Sequence, residues 1–151
     1  MDIPLSDHNL RELCLEMNER ANVLTINEIL TNNLDKEKVF KHSGHVILFY
    51  NNPGQSVGHW LTCIRKPDDT VYLFDSLSEP YEKYGIHKWL NKHFKKVYYN
   101  PYKFQRDDTN TCGKYCLLCI ALNKLQFTYK EIEDFFKLVS PCDDYILNIF
   151  Q

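Results

Sequence analysis

The sequence has no apolar run that approaches the ~18 residues of a membrane-spanning helix. Its first residues, Met1 to Asp7, contain neither the basic nor the apolar segment of a secretory signal. Internal repeats, low-complexity segments and linkers rich in Pro or Gly are also missing. We therefore expect a protein that is not secreted and has no membrane partner. The length predicts one domain over residues 1–151, with its six cysteines reduced.

The cysteines do not form a convincing metal site. Cys112, Cys116 and Cys119 have the Cys-x3-Cys-x2-Cys spacing of radical SAM enzymes, but they lie late in a chain too short for that barrel. No second ligand cluster accompanies them, so neither zinc nor any other metal is expected. On a helix the three positions share one face, which predicts core positions for Cys116 and Cys119, and for Cys63 by its strand. Two cysteines remain candidates for exposure: Cys14 and Cys142.

Acidic residues are missing from one long segment, although the net charge of the whole chain is −2. Between positions 83 and 106 there are seven basic residues and no Asp or Glu. They are Lys83, Lys88, Lys92, Lys95, Lys96, Lys103 and Arg106. One interpretation is a solvated face, and the other is a patch that binds a polyanion such as DNA, because clustered cations attract phosphate backbones.

The pattern of apolar residues predicts an α+β fold, with a small and mostly antiparallel sheet flanked by helices. Strands are expected at 45–50, 60–65, 71–75 and 96–100, with 66–69 as a hairpin turn. Helices are expected at 6–18 (Ser6 as N-cap), 25–34, 84–94, 112–125 and 128–138, the last of these closing the chain. This arrangement places Cys112 at the N-terminus of the most apolar helix, where the helix dipole stabilises a thiolate.

Four groups occur in a fixed order: His59, Asp75, Gln105 and Cys112. A thiol becomes a strong nucleophile only as a thiolate, so it needs a neighbouring base such as histidine. A carboxylate can hold that histidine in the required tautomer. A glutamine amide next to the nucleophile can donate to the oxyanion of acyl transfer. These residue types in this order indicate a cysteine peptidase.

The same residues resemble the adenovirus-type endopeptidases, a group related to the SUMO-specific peptidases. The resemblance rests on Gly58-His59-Trp60-Leu61-Thr62, on the strand ending at Asp75, and on Gln105 followed by Cys112-Gly113. It covers positions 45 to 125 best. It implies a papain-like fold, catalytic roles for His59, Asp75, Gln105 and Cys112, and a substrate cleft beside Trp60 and Gly113. No cofactor is implied for the chemistry, although a nucleic acid or a peptide can activate such enzymes.

The resemblance further implies a polypeptide substrate cleaved at small or glycine-containing sites. It suggests maturation of capsid precursors in a small DNA virus such as a virophage, with the enzyme in the virion and in the cytoplasm or nucleus of the infected cell. Asp75 departs from the adenovirus enzymes, which often have Glu at that place. Two alternatives stay open: an isopeptidase for ubiquitin-like modifiers with the same fold, and a binding module that has kept the fold without activity.

Overall fold

The computed structural model describes residues 7–41, 43–51, 58–106, 111–139 and 141–150. Its centre is a five-stranded sheet in which the strands follow one another in chain order. The strands are β1 (Val23–Thr25), β2 (His45–Asn51), β3 (Gly58–Arg65), β4 (Thr70–Phe74) and β5 (Lys96–Tyr99).

Helices lie on both faces of this sheet. In the described residues they are α1 (Asp7–Arg20), α2 (Ile26–Thr31), α3 (Lys36–Phe40), α4 (His87–His93), α5 (Cys112–Lys124), α6 (Tyr129–Leu138) and α7 (Cys142–Ile149). A 3₁₀ turn, Tyr81–Tyr84, precedes α4. The expected α+β class, with a sheet flanked by helices and Cys112 opening a buried helix, is confirmed. Among the described residues, no helix combines the length and the apolarity that crossing a membrane requires.

The sheet is antiparallel at its centre and parallel at both edges. β2 pairs antiparallel with β3, and β3 pairs antiparallel with β4, as the hairpin pattern predicts. The edge pairs β1–β2 and β4–β5 are parallel. Parallel neighbours need a crossover connection, and helices supply it in both cases: α2 and α3 before β2, and the 3₁₀ turn and α4 before β5.

Side chains of the central strands alternate between two apolar cores. On β4, Val71 and Leu73 pack towards α2, α3 and α4, whereas Tyr72 and Phe74 pack towards the α1, α5, α6 and α7 side. This period of two is what a sheet covered on both faces requires. Helix α5 packs against β3 and α1, so the residue that opens α5 is held against the sheet.

The structure corrects several expected element boundaries. The helix expected at 84–94 is interrupted at Gly85, whose φ of 76° is left-handed and ends the 3₁₀ turn. The helix at 128–138 is not the last, because α7 follows it after Pro141. Strand β1 and helix α3, with three and five residues, were too short to give a sequence pattern. Ser6, the expected N-cap of α1, lies outside the described residues.

All six cysteines are free and buried. This agrees with the core positions predicted for Cys63, Cys116 and Cys119. Cys14 and Cys142, the two candidates for exposure, are instead only 1% and 6% exposed. Cys14 is buried because its face of α1 packs on the main core, and Cys142 because α7, which the pattern did not predict, covers the same core.

Candidate active site

His59 is placed by a close approach between β2 and β3. It pairs across the ladder with Tyr50, while the preceding Gly58 pairs with Asn51. A Cβ atom on Gly58 would lie 2.5 Å from the carbonyl oxygen of Tyr50. Real Cβ atoms do not approach a backbone oxygen so closely. The glycine at position 58 therefore allows β2 and β3 to stay paired at this end of the ladder. The imidazole of His59 is thereby held in a buried position, with 7% of the residue exposed.

Asp75 is the first residue after β4, and it lies at the same end of the antiparallel β3–β4 pair as His59. The His59 Nε2 atom is 2.6 Å from the Asp75 Oδ1 atom, and both side chains are buried. The sequence-based expectation that these two side chains meet therefore agrees with the geometry. Whether they catalyse a reaction stays a prediction.

The Asp75 carboxylate is fully engaged by donors on both oxygens. Besides His59, Oδ1 accepts the backbone N–H of Leu77 at 3.0 Å. Oδ2 accepts the Tyr84 hydroxyl at 2.6 Å and the backbone N–H of Glu79 at 3.0 Å. Burial alone would raise the pKa of Asp75, but hydrogen bonds and the charge of His59 outweigh it and lower this pKa. The carboxylate therefore stays ionised next to the imidazole.

Two side chains that the sequence analysis missed support Asp75. The amide of Asn100 accepts the Asp75 backbone N–H at 2.8 Å and donates to the Asp75 carbonyl at 2.6 Å, as a neighbouring strand would do. Tyr84 both donates to the carboxylate and stacks on the His59 ring, with centroids 5.8 Å apart. The available signal for Asn100 was an asparagine as the last residue of a predicted strand. Tyr84 gave none, because the pattern predicts that it begins a helix and its partner Asp75 lies nine positions earlier.

Cys112 opens α5 and its thiol is in hydrogen-bond contact with His59. Since Nε2 of the imidazole is used by Asp75, Nδ1 is the ring nitrogen left to face the sulfur. Burial disfavours the thiolate, but hydrogen bonds with His59 and with the backbone at Trp60 and Gly113 outweigh it, so the pKa of Cys112 is lowered.

The imidazole shows the complementary shift. Burial opposes its protonation, yet hydrogen bonds to Asp75 and Cys112 and the charges of both groups raise the pKa of His59 to about 9. A lowered thiol pKa next to a raised imidazole pKa favours the thiolate–imidazolium form of the pair at neutral pH. Such a pair can attack a carbonyl carbon and then deliver a proton to the leaving group.

Gln105 lies in the segment before α5 and contacts Ser76, the residue that follows Asp75. The Ser76 hydroxyl donates to the Gln105 Oε1 atom at 2.5 Å, and the Gln105 backbone N–H donates to the Ser76 carbonyl at 2.9 Å. Both residues are buried. Because Ser76 holds the oxygen of the amide, the orientation is fixed with Nε2 as the opposite, donating end. Residues 107–110, between this segment and α5, lie outside the described residues.

Trp60 and Gly113, the two expected cleft residues, contact one another. A Cβ atom on Gly113 would meet the Trp60 indole at 3.5 Å, and the indole also packs on the Phe49 ring, with ring centroids 4.6 Å apart. Beside them is an open cavity of about 330 Å³, which Val23 and Leu117 also line. The cavity reaches Gly113, the residue that follows Cys112.

The seven cations of the basic segment are exposed, but ion pairs with acidic side chains offset the charge of two of them. Lys83 forms an ion pair with Glu79, and Arg106 forms one with Asp143. Of the other cations, Lys88, Lys92 and Lys96 form no ion pair with any residue that the structure describes. The uncompensated charge is therefore concentrated on α4 and at the start of β5.

Within the ranges that the structure describes, no group of three or more His, Cys, Asp or Glu side chains could hold a metal ion. A thiol beside an imidazole is of the residue types that can perform acyl transfer.

Comparisons with known proteins give distant similarities. No protein-family model matches the chain. Uncharacterized protein V9 of Sputnik virophage is 23% identical over 153 residues, which cover 87% of this chain and 84% of that protein. The crystal structure of the ASFV pS273R protease superimposes with a TM-score of 0.46 and 15% identity. The superposition covers 85% of this chain and 59% of the protease chain, so less than two thirds of the protease is spanned.

Proposed function

We propose that this chain is a cysteine endopeptidase. The observation that carries the proposal is the buried hydrogen-bonded series Cys112–His59–Asp75, in which the pKa of the thiol is lowered and that of the imidazole is raised to about 9. A structural cysteine has no need of such partners, and the other five cysteines of the chain have a raised pKa because they are buried. The contrast singles out Cys112 as the nucleophile.

The proposed reaction is acyl transfer to sulfur followed by hydrolysis. The Cys112 thiolate attacks a peptide carbonyl carbon, and the carbonyl oxygen becomes an oxyanion that the Gln105 amide and the Cys112 backbone N–H stabilise. His59 gives its proton to the departing amine, and the C–N bond breaks to leave a thioester. His59 then removes a proton from water, which attacks the thioester, and the acid product leaves with the thiol restored. Asp75 holds His59 in orientation throughout.

For the substrate, we propose a polypeptide with small or glycine residues at the cleavage site. The position of the Trp60 indole against Gly113, the residue after the proposed nucleophile, supports this, because the indole would restrict which side chains fit there. The similarity to a virophage protein supports a viral setting, with capsid precursors as substrates and the virion and infected cell as locations. DNA is the second partner that we propose, through the exposed cations of α4 and β5.

The test compares wild type with Cys112→Ala on a mixture of glycine-containing peptides, with new amino termini identified by mass spectrometry. Wild type is expected to cleave and Cys112→Ala to be inactive, because no other ionised thiol faces His59. The matched control is Cys116→Ala, one turn further along α5 and buried at 1% exposure, which should retain activity and lose only some stability. Cleavage by Cys112→Ala at a comparable rate would contradict the proposal.

A further inference from the structure

Asp143 is a buried carboxylate that the proposed reaction does not use. It lies in the first turn of α7 and is only 2% exposed. An ionised carboxylate is buried at high cost unless hydrogen-bond donors surround it. Its donors therefore show which parts of the molecule the carboxylate holds together.

One oxygen of Asp143 holds the segment that contains Gln105. Oδ2 accepts the backbone N–H of Arg106 at 2.9 Å, and the Arg106 Nε atom lies 3.5 Å away. Arg106 directly follows Gln105, so this bond fixes the backbone on the C-terminal side of the proposed oxyanion donor. The bonds between the Gln105 backbone, the Phe104 backbone and the Ser76 carbonyl fix it from the other side.

The other oxygen holds the residue in front of the nucleophile. Oδ1 accepts the Thr111 hydroxyl at 3.0 Å, and the Tyr115 hydroxyl lies 3.1 Å away. Thr111 directly precedes Cys112, and its carbonyl accepts the backbone N–H of Tyr115 in the first turn of α5. The Tyr115 hydroxyl also lies 3.0 Å from the carbonyl of Phe104, next to Gln105.

Resting on the proposed function, we propose that Asp143 is the positioning residue that sets the distance between the oxyanion donor and the nucleophile. A single carboxylate from the C-terminal helix holds the chain just after Gln105 and just before Cys112. No local pattern in the chain indicates this role, because the bonds span 37 and 32 positions.

The test variant is Asp143→Asn, which keeps the shape but replaces one acceptor oxygen with an NH₂ group. The Arg106 backbone N–H can only donate, so the remaining oxygen is expected to face Arg106 and the NH₂ group to face the hydroxyls of Thr111 and Tyr115. Those hydroxyls then lose their charged acceptor and must turn to accept, which weakens the hold on the residue in front of Cys112. The matched control is Asp144→Asn, the exposed neighbour in the same turn of α7. It removes the same charge near the same helix terminus.

Two probes separate the thiolate from the oxyanion site. Iodoacetamide alkylates Cys112 by displacement of iodide at a CH₂ group, which needs the thiolate but no oxyanion donor. N-acetyl-glycylglycine p-nitrophenyl ester acylates it: the C–S bond forms, the C–O bond breaks and p-nitrophenolate leaves through a tetrahedral oxyanion. We expect Asp143→Asn to slow acylation by about 10- to 100-fold, as for a displacement of roughly 1 Å, with an unchanged alkylation rate at pH 6–7. Asp144→Asn should match wild type in both reactions.

Equal acylation rates in Asp143→Asn and wild type would overturn the inference. An alkylation rate that falls as much as the acylation rate would also overturn it, because the whole site would then be disordered. If Asp143→Asn does not fold, Thr111→Val decides, because it removes the hydroxyl that bonds Asp143 next to Cys112. A several-fold slower acylation supports the inference, and a wild-type rate overturns it. A wild-type protein that is alkylated but never acylated at Cys112 would overturn the proposed function itself.

Discussion

At the scale of single residues, the proposed chemistry depends on two coupled pKa shifts. The pKa of Cys112 is lowered and that of His59 is raised to about 9, so the reactive pair exists in the pH interval between them. Asp75 stays ionised beside the imidazole because the pKa of this carboxyl is lowered. The pair therefore carries one proton, which resides on the nitrogen rather than on the sulfur.

We expect Cys112 to react with iodoacetamide well below the ordinary thiol pKa of about 8.5. In His59→Ala the cation and its hydrogen bond are lost while burial remains, so the reactive range should move to higher pH. Peptide hydrolysis should instead fall as the pH rises through about 9, since His59 then loses the proton that it gives to the leaving amine. Rates measured by mass spectrometry across pH test this. An unchanged alkylation profile in His59→Ala would exclude His59 as the partner.

Gln105→Ala should lower kcat by roughly 10²- to 10³-fold with little change in KM, as expected when one preorganised oxyanion donor is lost. Ser76→Ala removes only the bond that orients the amide, and should change kcat in the same direction by less. Steady-state kinetics on a cleaved peptide provide the measurement. If Gln105→Ala stays within a few-fold of wild type, the Cys112 backbone N–H is the main donor.

At the scale of secondary-structure elements, the sequence predicted what depends on local pattern. The hairpin of β3 and β4 follows from alternating apolar residues and the turn at 66–69. Because antiparallel strands end together, that hairpin already implied the meeting of His59 and Asp75. Helix α5 was recognised from its continuous apolar residues. These elements are long enough for their periodicity to be counted.

The remaining elements depend on contacts that are distant in sequence. Strand β1 has three residues and exists because β2 lies beside it. Helix α7 follows Pro141 and is stabilised by burying Cys142, Ile146 and Ile149 in the main core. For the same reason the sequence indicated His59, Asp75, Gln105 and Cys112 but missed Tyr84, Asn100 and Asp143. The first four residues form an ordered pattern of reactive types. Tyr84 and Asn100 instead bond to Asp75, and Asp143 bonds to the neighbours of Gln105 and Cys112.

At the scale of the whole molecule, exposed lysines without an ion pair among the described residues lie on α4 and at the start of β5. If the exposed cations of α4 and β5 bind duplex DNA, the logarithm of the affinity should fall linearly with the logarithm of the salt concentration, with a slope near −0.9 per phosphate neutralised. Replacing Lys92, Lys95 and Lys96 with Glu should weaken binding strongly. Mobility shifts across a salt series would measure both effects.

The control for this experiment replaces three exposed lysines outside the segment, Lys38, Lys124 and Lys130, with Glu. This variant has the same net charge, so nonspecific repulsion of DNA would weaken both triple variants equally. A loss confined to the first variant supports a binding surface. The absence of a shift by the wild-type protein at low salt would end the proposal and leave the segment as a solvated face.

The positions of the site residues along the chain have a consequence for synthesis on the ribosome. The base and its carboxylate come from β3 and the end of β4, the nucleophile from α5, and the carboxylate that spans Arg106 and Thr111 from α7. A nascent chain that ends before α5 contains the His59–Asp75 pair without a thiol to activate. One that ends before α7 contains the thiol without Asp143. Translation thus adds the proposed base first, the proposed nucleophile second and the support of the proposed oxyanion site last, so a chain that still lacks α7 should be acylated more slowly than one that has it.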